Sequence, residues 1–189
     1  MNETNTDYFP ALMQRIQAGA PAQQLLAQAA DEYPRDPRPL LLLAAEFMHE
    51  GQVDRAEAAY VFALHRAPDF AIARFQLGLL QWTSGRPAAA IATWAPLDAL
   101  DPAEPLRLFK QGLTALAQDQ FEDARRWILE GIAHNSVNLP LNRDMQMVLD
   151  RMASAGLGAG APPAQPPAAA PPAEGGQEHV LISGYRSGR

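Results

Sequence analysis

The sequence predicts an all-α fold in which helix–turn–helix units of 34 residues stack side by side. Two series of small residues recur at this spacing: Ala44, Gly78 and Gly112, and twelve positions later Ala56, Ala90 and Ala124. Four residues after each alanine stands a large side chain, namely Tyr60, Trp94 or Ile128. A unit of this length buries too little apolar surface to fold alone, so neighbouring units must share a core. The pattern therefore favours a short α-solenoid.

Composition and charge narrow the function classes. The chain has 189 residues, enough for about one domain and an additional segment. A net charge of −6 without a basic cluster argues against nucleic acid as the main ligand. The absence of cysteine excludes disulfides, cysteine metal sites and thiol catalysis, and it fits a reducing compartment. Neither a secretory signal nor a run of about 18 apolar residues is present, so we expect a cytoplasmic protein without membrane insertion.

Residues 1–36 predict two helices at the start of the fold. The first has apolar residues at helical spacing, and Gly19-Ala20-Pro21 separates it from the second. Ala22 and Pro34 precede Ala56 and Pro68 by one repeat length. These two helices are therefore interpreted as a degenerate leading repeat that caps the array.

Three full repeats are predicted over residues 37–70, 71–104 and 105–138. Their internal helix breaks are expected at Gly51, Gly85 and Asp119. Glycine ends a helix in the left-handed conformation without steric penalty, whereas aspartate does so less easily. Each repeat is thus expected to contain two helices joined by a tight turn.

The C-terminal part of the sequence divides into three segments. Residues 139–153 predict a capping helix whose apolar stripe contains Leu141, Met145, Val148, Leu149 and Met152. Residues 154–178 are rich in alanine, proline and glycine and predict a disordered linker. Residues 179–189 form a separate, partly apolar peptide.

This peptide is interpreted as a docking segment, with an inert tail as the alternative. Its candidate contact residues are apolar, aromatic or basic: Val180, Leu181, Ile182, Tyr185 and Arg186. An apolar peptide on a tether is a common recognition element.

The repeats resemble the tetratricopeptide repeat family. The first repeat has the family's packing residues at Leu40, Leu43, Ala44, Phe47, Ala56, Tyr60, Ala63 and Pro68. The second departs from the pattern at Arg74 and Gln81, and the third at Gln111, Gly131 and Ser136. The resemblance implies a right-handed α-solenoid that binds other proteins and has no enzymatic activity.

The resemblance also implies a binding groove on the concave face, formed by the first helix of each repeat. Apart from Arg38, the groove positions of this chain are apolar: Leu41, Ala45, Met48, Ile72, Phe75, Leu79, Trp82, Leu106, Phe109, Leu113 and Leu116. These eleven apolar positions, called the groove residues below, predict a trough for an apolar segment of a partner protein. The alternatives are that the chain's own tail or a second copy, as a homodimer, covers the same residues, or that these residues are assigned to the wrong faces of their helices.

Three functions follow from this interpretation. The first is an adaptor or assembly factor that binds a partner in the groove and engages a second site through its docking peptide. The second is a chaperone for a secreted or membrane-associated client, because the run Ala73–Leu79 and Pro105-Leu106-Arg107 are similar to the chaperones of type III secretion translocators. The third is a self-assembling structural subunit. The clamp that binds heat-shock chaperone peptides is not expected, since only Lys110 remains at its positions.

Catalytic and metal-binding chemistry is not expected from the sequence. The four histidines are scattered, and none stands at metal-ligand spacing from another. No glycine-rich phosphate loop occurs, and the acidic residues near Asp119 lie where a helix start favours them. We therefore expect no catalytic residue, no metal and no cofactor.

Overall fold

A computed structural model of the chain describes residues 8–157. Within this range the backbone forms nine α-helices and one short 3₁₀ helix, and it contains no strand. The α-helices are α1 (Phe9–Gln17), α2 (Ala22–Glu32), α3 (Arg38–His49), α4 (Val53–Arg66), α5 (Ala71–Thr83), α6 (Pro87–Trp94), α7 (Pro105–Ala117), α8 (Phe121–His134) and α9 (Leu139–Ser154). The predicted all-α solenoid is confirmed. Nearly all of the predicted linker and the whole docking peptide lie outside the described residues.

Consecutive helices pack against each other along the chain. The pairs α3–α4, α5–α6 and α7–α8 form the helix–turn–helix units, and α2–α3 and α4–α5 join neighbouring units. The first helices α5 and α7 also contact each other directly. Helix α9 packs on α8 and ends the array. None of the helices in residues 8–157 is long and apolar enough to cross a membrane.

The turns inside the units have the predicted left-handed backbone. The φ angles are +71° at Gly51, +75° at Gly85 and +57° at Asp119. After α3, the Gln52 amide donates to the Phe47 carbonyl at 2.8 Å and the Gly51 amide donates to the Met48 carbonyl. This pair of bonds is a Schellman motif, which satisfies carbonyl groups that the end of a helix leaves free.

The core consists of two clusters of buried side chains. The first cluster joins α1 to α4 and reaches into α5, and it contains Leu26, Leu41 and Tyr60. The second joins α5 to α9 around Trp94, and it contains Phe75 and Phe109. The Trp94 indole nitrogen donates to the Phe75 carbonyl at 2.9 Å, which gives the buried indole a partner.

The second repeat departs from the others in its second helix. Helix α6 ends at Trp94 and continues as a 3₁₀ helix over Ala95–Ala99. Pro96 lies at the start of this 3₁₀ helix, and a proline has no amide hydrogen to continue an α-helix. The early end of α6 is therefore encoded locally, although the repeat pattern alone does not show it.

The atypical residues of the second repeat are accommodated by hydrogen bonds. The Arg74 guanidinium donates to the carbonyl groups of Pro68, at 2.5 Å, and Thr93, at 3.3 Å. The Gln81 side-chain oxygen accepts a bond from the Thr93 hydroxyl at 2.7 Å. Polar contacts thus replace the apolar packing that is usual at these two positions.

In the third repeat, an asparagine network stands where the earlier repeats have a proline. The side-chain amide group of Asn135 donates to the Asn138 carbonyl and to the Asn142 side-chain oxygen, both at 2.7 Å. The Asn142 side chain donates back to the Asn135 carbonyl at 2.9 Å. Asn138 caps α9 by accepting a bond from the Leu141 amide. The network fixes the connection between α8 and α9.

Candidate functional site

The structure divides the groove residues into two groups. Five have side chains that are at most 1 % exposed: Leu41, Ala45, Phe75, Phe109 and Leu113. Six are partly exposed: Met48, Ile72, Leu79, Trp82, Leu106 and Leu116. The second group is called the accessible groove residues below. Only this group presents surface on which a partner can bind without a separation of the helices.

The buried group holds neighbouring first helices together. The rings of Phe75 on α5 and Phe109 on α7 lie 6.3 Å apart in a tilted arrangement. A Cβ atom at Gly131 on α8 would lie 2.5 Å from the Phe109 ring, so this ring also fills the space beside α8. Large side chains at these positions close the gap between helices, which the sequence pattern alone does not distinguish from an open trough. Phe75 and Phe109 therefore have core roles in this structure.

Accessible groove residues border both core clusters. Met48 and Ile72 pack against the first cluster, and the others pack against the second. The Trp82 ring lies 6.0 Å from the Trp94 ring in a stacked arrangement, so Trp82 is held from the inside while part of it contacts solvent. Tryptophan in such a setting is typical of residues that dominate protein–protein binding energy.

Three accessible residues form a regular column. Met48, Trp82 and Leu116 are the penultimate residues of α3, α5 and α7. They are separated by one repeat length, so each stands at the same end of its helix. This Met48–Trp82–Leu116 column is an apolar row that crosses three successive repeats.

Helix α9, which the sequence predicts only as a cap, has residues at the repeat spacing of the groove positions. Met147 stands one repeat length after Leu113, and its side chain is 51 % exposed. Arg143 and Asp150 stand one repeat length after Phe109 and Leu116, and both are exposed. The repeat spacing carried this signal, because it continues unbroken beyond Ser136. Helix α9 therefore caps the array and places an exposed Met147 at the repeat position of Leu113.

Two cations near the groove, Lys110 and Arg38, are engaged in ion pairs. The Lys110 ammonium group is almost buried and contacts both Asp98 carboxylate oxygens, at 2.7 and 2.8 Å. The Arg38 guanidinium binds Asp36 at 2.7 Å and lies over the Phe9 ring at 4.3 Å. Burial opposes ionisation of Asp36, but the hydrogen bonds and charge of Arg38 outweigh it and lower the pKa of that carboxyl. Both cations are therefore already paired with carboxylates of the same chain.

A second concavity lies near the N-terminal end of the array, where α2 is connected to α3. This cleft has a volume of about 690 Å³ and is lined by Tyr8, Glu32, Tyr33, Pro34, Arg35, Asp36, Pro37 and Arg38. The Tyr8 and Tyr33 rings stack with centroids 3.5 Å apart, and the Tyr8 hydroxyl donates to Asp36 at 3.1 Å. Burial and the nearby carboxylate raise the pKa of Tyr8. These contacts fasten the start of α1 to the first repeat.

No group of histidine, aspartate and glutamate residues between positions 8 and 157 is arranged to hold a metal ion. In that part of the chain, carboxylates with lowered pKa values pair with arginines. The Arg86 guanidinium donates to both Glu57 oxygens, at 2.7 and 2.9 Å, and lowers the pKa of that carboxyl. Contacts of this kind are typical of ion pairs that join helices.

Comparison with known proteins agrees with the repeat architecture. Residues 41–105 match the model of the tetratricopeptide repeat family. A solved structure of the MamA RS-1 ArsTM double mutant superposes with a TM-score of 0.53 at 17 % identity, covering 82 % of this chain and 90 % of that one. MamA residues 41 to the end from Desulfovibrio magneticus RS-1 give a TM-score of 0.49 at 16 % identity, covering 82 % and 91 %. No curated protein matches the chain significantly.

Proposed function

We propose that this protein is a non-enzymatic adaptor that binds an apolar segment of another protein, because residues 41–105 match the model of the tetratricopeptide repeat family. The binding surface is formed by the accessible groove residues and Met147. The observation that carries the proposal is the Met48–Trp82–Leu116 column, in which apolar side chains remain partly exposed at the same position of three repeats. Continuous apolar surface of this kind is typical of protein interaction sites.

The spacing of the column favours an amphipathic helix that lies across the repeats. Helices α5 and α7 contact each other directly, and packed helices have axes roughly 8–10 Å apart, so the rows of Trp82 and Leu116 are separated by about this distance. Side chains seven residues apart on a helix are separated by about 10 Å along its axis. Each apolar side chain that becomes buried contributes roughly 1.5–3 kcal/mol before ordering costs. A partner with an apolar residue at every heptad therefore fits the groove.

The test compares two charge variants of the full chain. The groove variant is Met48→Lys/Leu116→Lys. A lysine in the last turn of a helix is compatible with the helix dipole, and its stem can cover apolar surface. The control variant is Val61→Lys/Phe62→Lys on α4, where both side chains are exposed and lie outside the groove positions. Circular dichroism spectra of both variants are compared with that of the wild type, and we expect the same helix content in all three.

Capture from a lysate of the source cells measures binding. We expect a partner to be retained by the wild-type chain and the control variant and to be lost by the groove variant. Affinity for the identified partner should fall at least about tenfold in the groove variant, since one buried apolar contact is worth more than 1.4 kcal/mol. Equal retention by the groove variant and the wild type would contradict groove binding.

Self-assembly is a second candidate function, and exposed apolar residues near the start of α9 favour it. Val137 is 89 % exposed and Leu139 is 57 % exposed, so the C-terminal end of the array presents an apolar edge. The terminal units of repeat proteins need polar outer surfaces to stay monomeric. Under this hypothesis, Val137→Lys/Leu139→Lys should convert oligomers to monomers in sedimentation velocity experiments. A wild-type chain that is already monomeric at high concentration would exclude it.

A further inference from the structure

We propose that residues 180–186 of the same chain occupy the Met48–Trp82–Leu116 column and that a partner must displace them. This inference rests on the proposed function, because it names the segment that covers the same groove in the absence of a partner. The segment contains three consecutive apolar residues, Val180, Leu181 and Ile182, followed by Tyr185 and Arg186.

The place where the chain leaves the described structure supports this assignment. Helix α9 ends at Ser154, and the Leu157 amide donates to the Met152 carbonyl at 2.8 Å. Leu157 is partly buried against the second core cluster, the cluster that also holds Trp82 and Leu116. First helices of successive units run in the same direction, so their carboxyl ends lie along one edge. The chain therefore continues from the edge on which the column stands.

The intervening sequence is long enough to reach every row of the groove. Residues 158–179 separate Leu157 from Val180. Fully extended, this stretch spans at most about 70 Å. Four helices of about 10–12 Å diameter, set side by side, span about 40–50 Å, which is within this reach. Attachment within one chain also gives an effective concentration of about millimolar, so even a weak contact is populated.

The chemistry of the segment matches the surface at that edge. Val180, Leu181 and Ile182 supply apolar side chains for an apolar column. Exposed carboxylates at Asp119 and Asp150 lie at the carboxyl ends of α7 and α9, and Arg186 follows the apolar residues by a few positions. A mainly apolar contact with a cation at one side therefore fits both the column and its acidic neighbours.

The experiment uses the methyl groups of methionine as reporters in the full chain. Met48 and Met147 lie in the groove, whereas Met13, Met145 and Met152 are buried in the core and serve as internal controls. Methyl resonances are recorded for the wild type and for Leu181→Asp/Ile182→Asp. A matched control, Ala168→Asp/Ala169→Asp, adds the same charge outside residues 180–186.

We expect the Met48 resonance to shift in Leu181→Asp/Ile182→Asp and to stay unchanged in the control, while the three core methionines keep their positions. The wild-type spectrum should not change on dilution, because the occupant belongs to the same chain. A Met48 methyl resonance that does not shift in Leu181→Asp/Ile182→Asp would overturn the proposal. A wild-type Met48 resonance that moves on dilution toward the position in the variant would identify a second copy as the occupant and would also overturn it.

Partner binding separates this proposal from the proposed function. If residues 180–186 compete with the partner, Leu181→Asp/Ile182→Asp should bind it about tenfold more tightly than the wild type, since a segment at millimolar effective concentration competes even when its own affinity is weak. If this variant and the wild type bound the partner with equal affinity, residues 180–186 would not compete with the partner, whereas binding in the groove would remain possible. If Met48→Lys/Leu116→Lys bound the partner as tightly as the wild type, in contrast, the proposed function itself would be contradicted.

Discussion

The small residue that recurs in each first helix is required by the large residue that meets it from the second helix. A Cβ atom at Gly78 would overlap the Trp94 indole, and one at Gly112 would lie 2.5 Å from the Ile128 Cγ1 atom. A glycine and a large residue sixteen positions later therefore determine together how closely a helix pair can pack. This contact explains why the two series of the sequence repeat together.

Gly78→Ala tests this contact. We expect it to lower the free energy of unfolding by about 1–3 kcal/mol, because the added methyl group displaces the buried indole. In a Trp94→Leu background, the same change should be neutral or stabilising, since space is available and alanine favours helix by about 1 kcal/mol over glycine. Chemical denaturation of the four chains of this double-mutant cycle measures the coupling. Additive effects would show that the two residues do not compete for space.

Asp144 on α9 makes stability depend on pH. Burial raises the pKa of Asp144 to about 6, above its ordinary value of 3.8. The folded chain therefore binds more protons than the unfolded chain between these values, and the free energy of unfolding should fall as pH rises from about 4 to 6. Because this carboxyl keeps part of its contact with solvent, the shift corresponds after screening to about 1–2 kcal/mol, present below about pH 4 and lost above about pH 6.

Asp144→Asn removes this titration. We expect the variant to equal the wild type near pH 4 and to be more stable by about 1–2 kcal/mol at pH 7. Thermal unfolding across the pH range gives the difference curve, and exposed Asp150→Asn is the control. A difference curve that does not change with pH would show that the Asp144 carboxyl has an ordinary pKa in the folded chain.

At the scale of helices, the connection between α8 and α9 shows how a unit boundary forms without proline. Asn135 is buried, and its side chain binds groups of both Asn138 and Asn142. Proline fixes a turn by its ring, whereas this network fixes the turn by satisfying buried polar groups. The boundary that looked irregular in the sequence is therefore as well defined as the earlier two.

Asn135→Ala should weaken the attachment of α9. The change leaves polar groups of Asn138 and Asn142 without partners, so we expect a loss of about 1–3 kcal/mol. Faster hydrogen exchange confined to α9 and the end of α8 would localise the effect. The neighbouring exposed residue provides the control, since Ser136→Ala should change neither stability nor exchange. Uniform loss of protection over all helices would contradict a local role.

The helices and their turns could be predicted because their signals are local. Gly51, Gly85 and Asp119 mark turns by the conformation they must adopt, and the repeat spacing transfers this information between units. Exposure of the groove residues could not be predicted in the same way. Leu79 and Leu113 stand at the same repeat position, yet Leu79 is partly exposed and Leu113 is buried. Their difference depends on which side chains neighbouring helices place beside them.

At the scale of the whole molecule, the core is divided into two clusters along the array. One lies mainly among α1 to α4, and the other lies among α5 to α9. In repeat proteins each unit is stabilised by itself and its neighbours, so damage in one region need not unfold the rest at once. The two clusters define where partial unfolding should begin.

Trp94→Leu is expected to unfold the second cluster first. Removal of the indole leaves a cavity and takes away its hydrogen bond to the Phe75 carbonyl, a loss of about 3 kcal/mol or more. Hydrogen exchange should then become at least about a hundredfold faster in α5–α9 while α2–α4 keep more of their protection. The matched variant Tyr60→Leu, in the first cluster, should reverse this order. Identical acceleration in both halves would show that the array unfolds as one unit.

If the groove binds a partner as proposed, the regular spacing of the column relates the length of a ligand to its affinity. Each of the first helices α3, α5 and α7 adds one row at the same repeat spacing, from Met48 to Leu116. Ligands of increasing length would therefore gain affinity in steps, one for each row they reach, and would gain nothing beyond the last row. The number of repeats thus sets the length of segment that the protein selects.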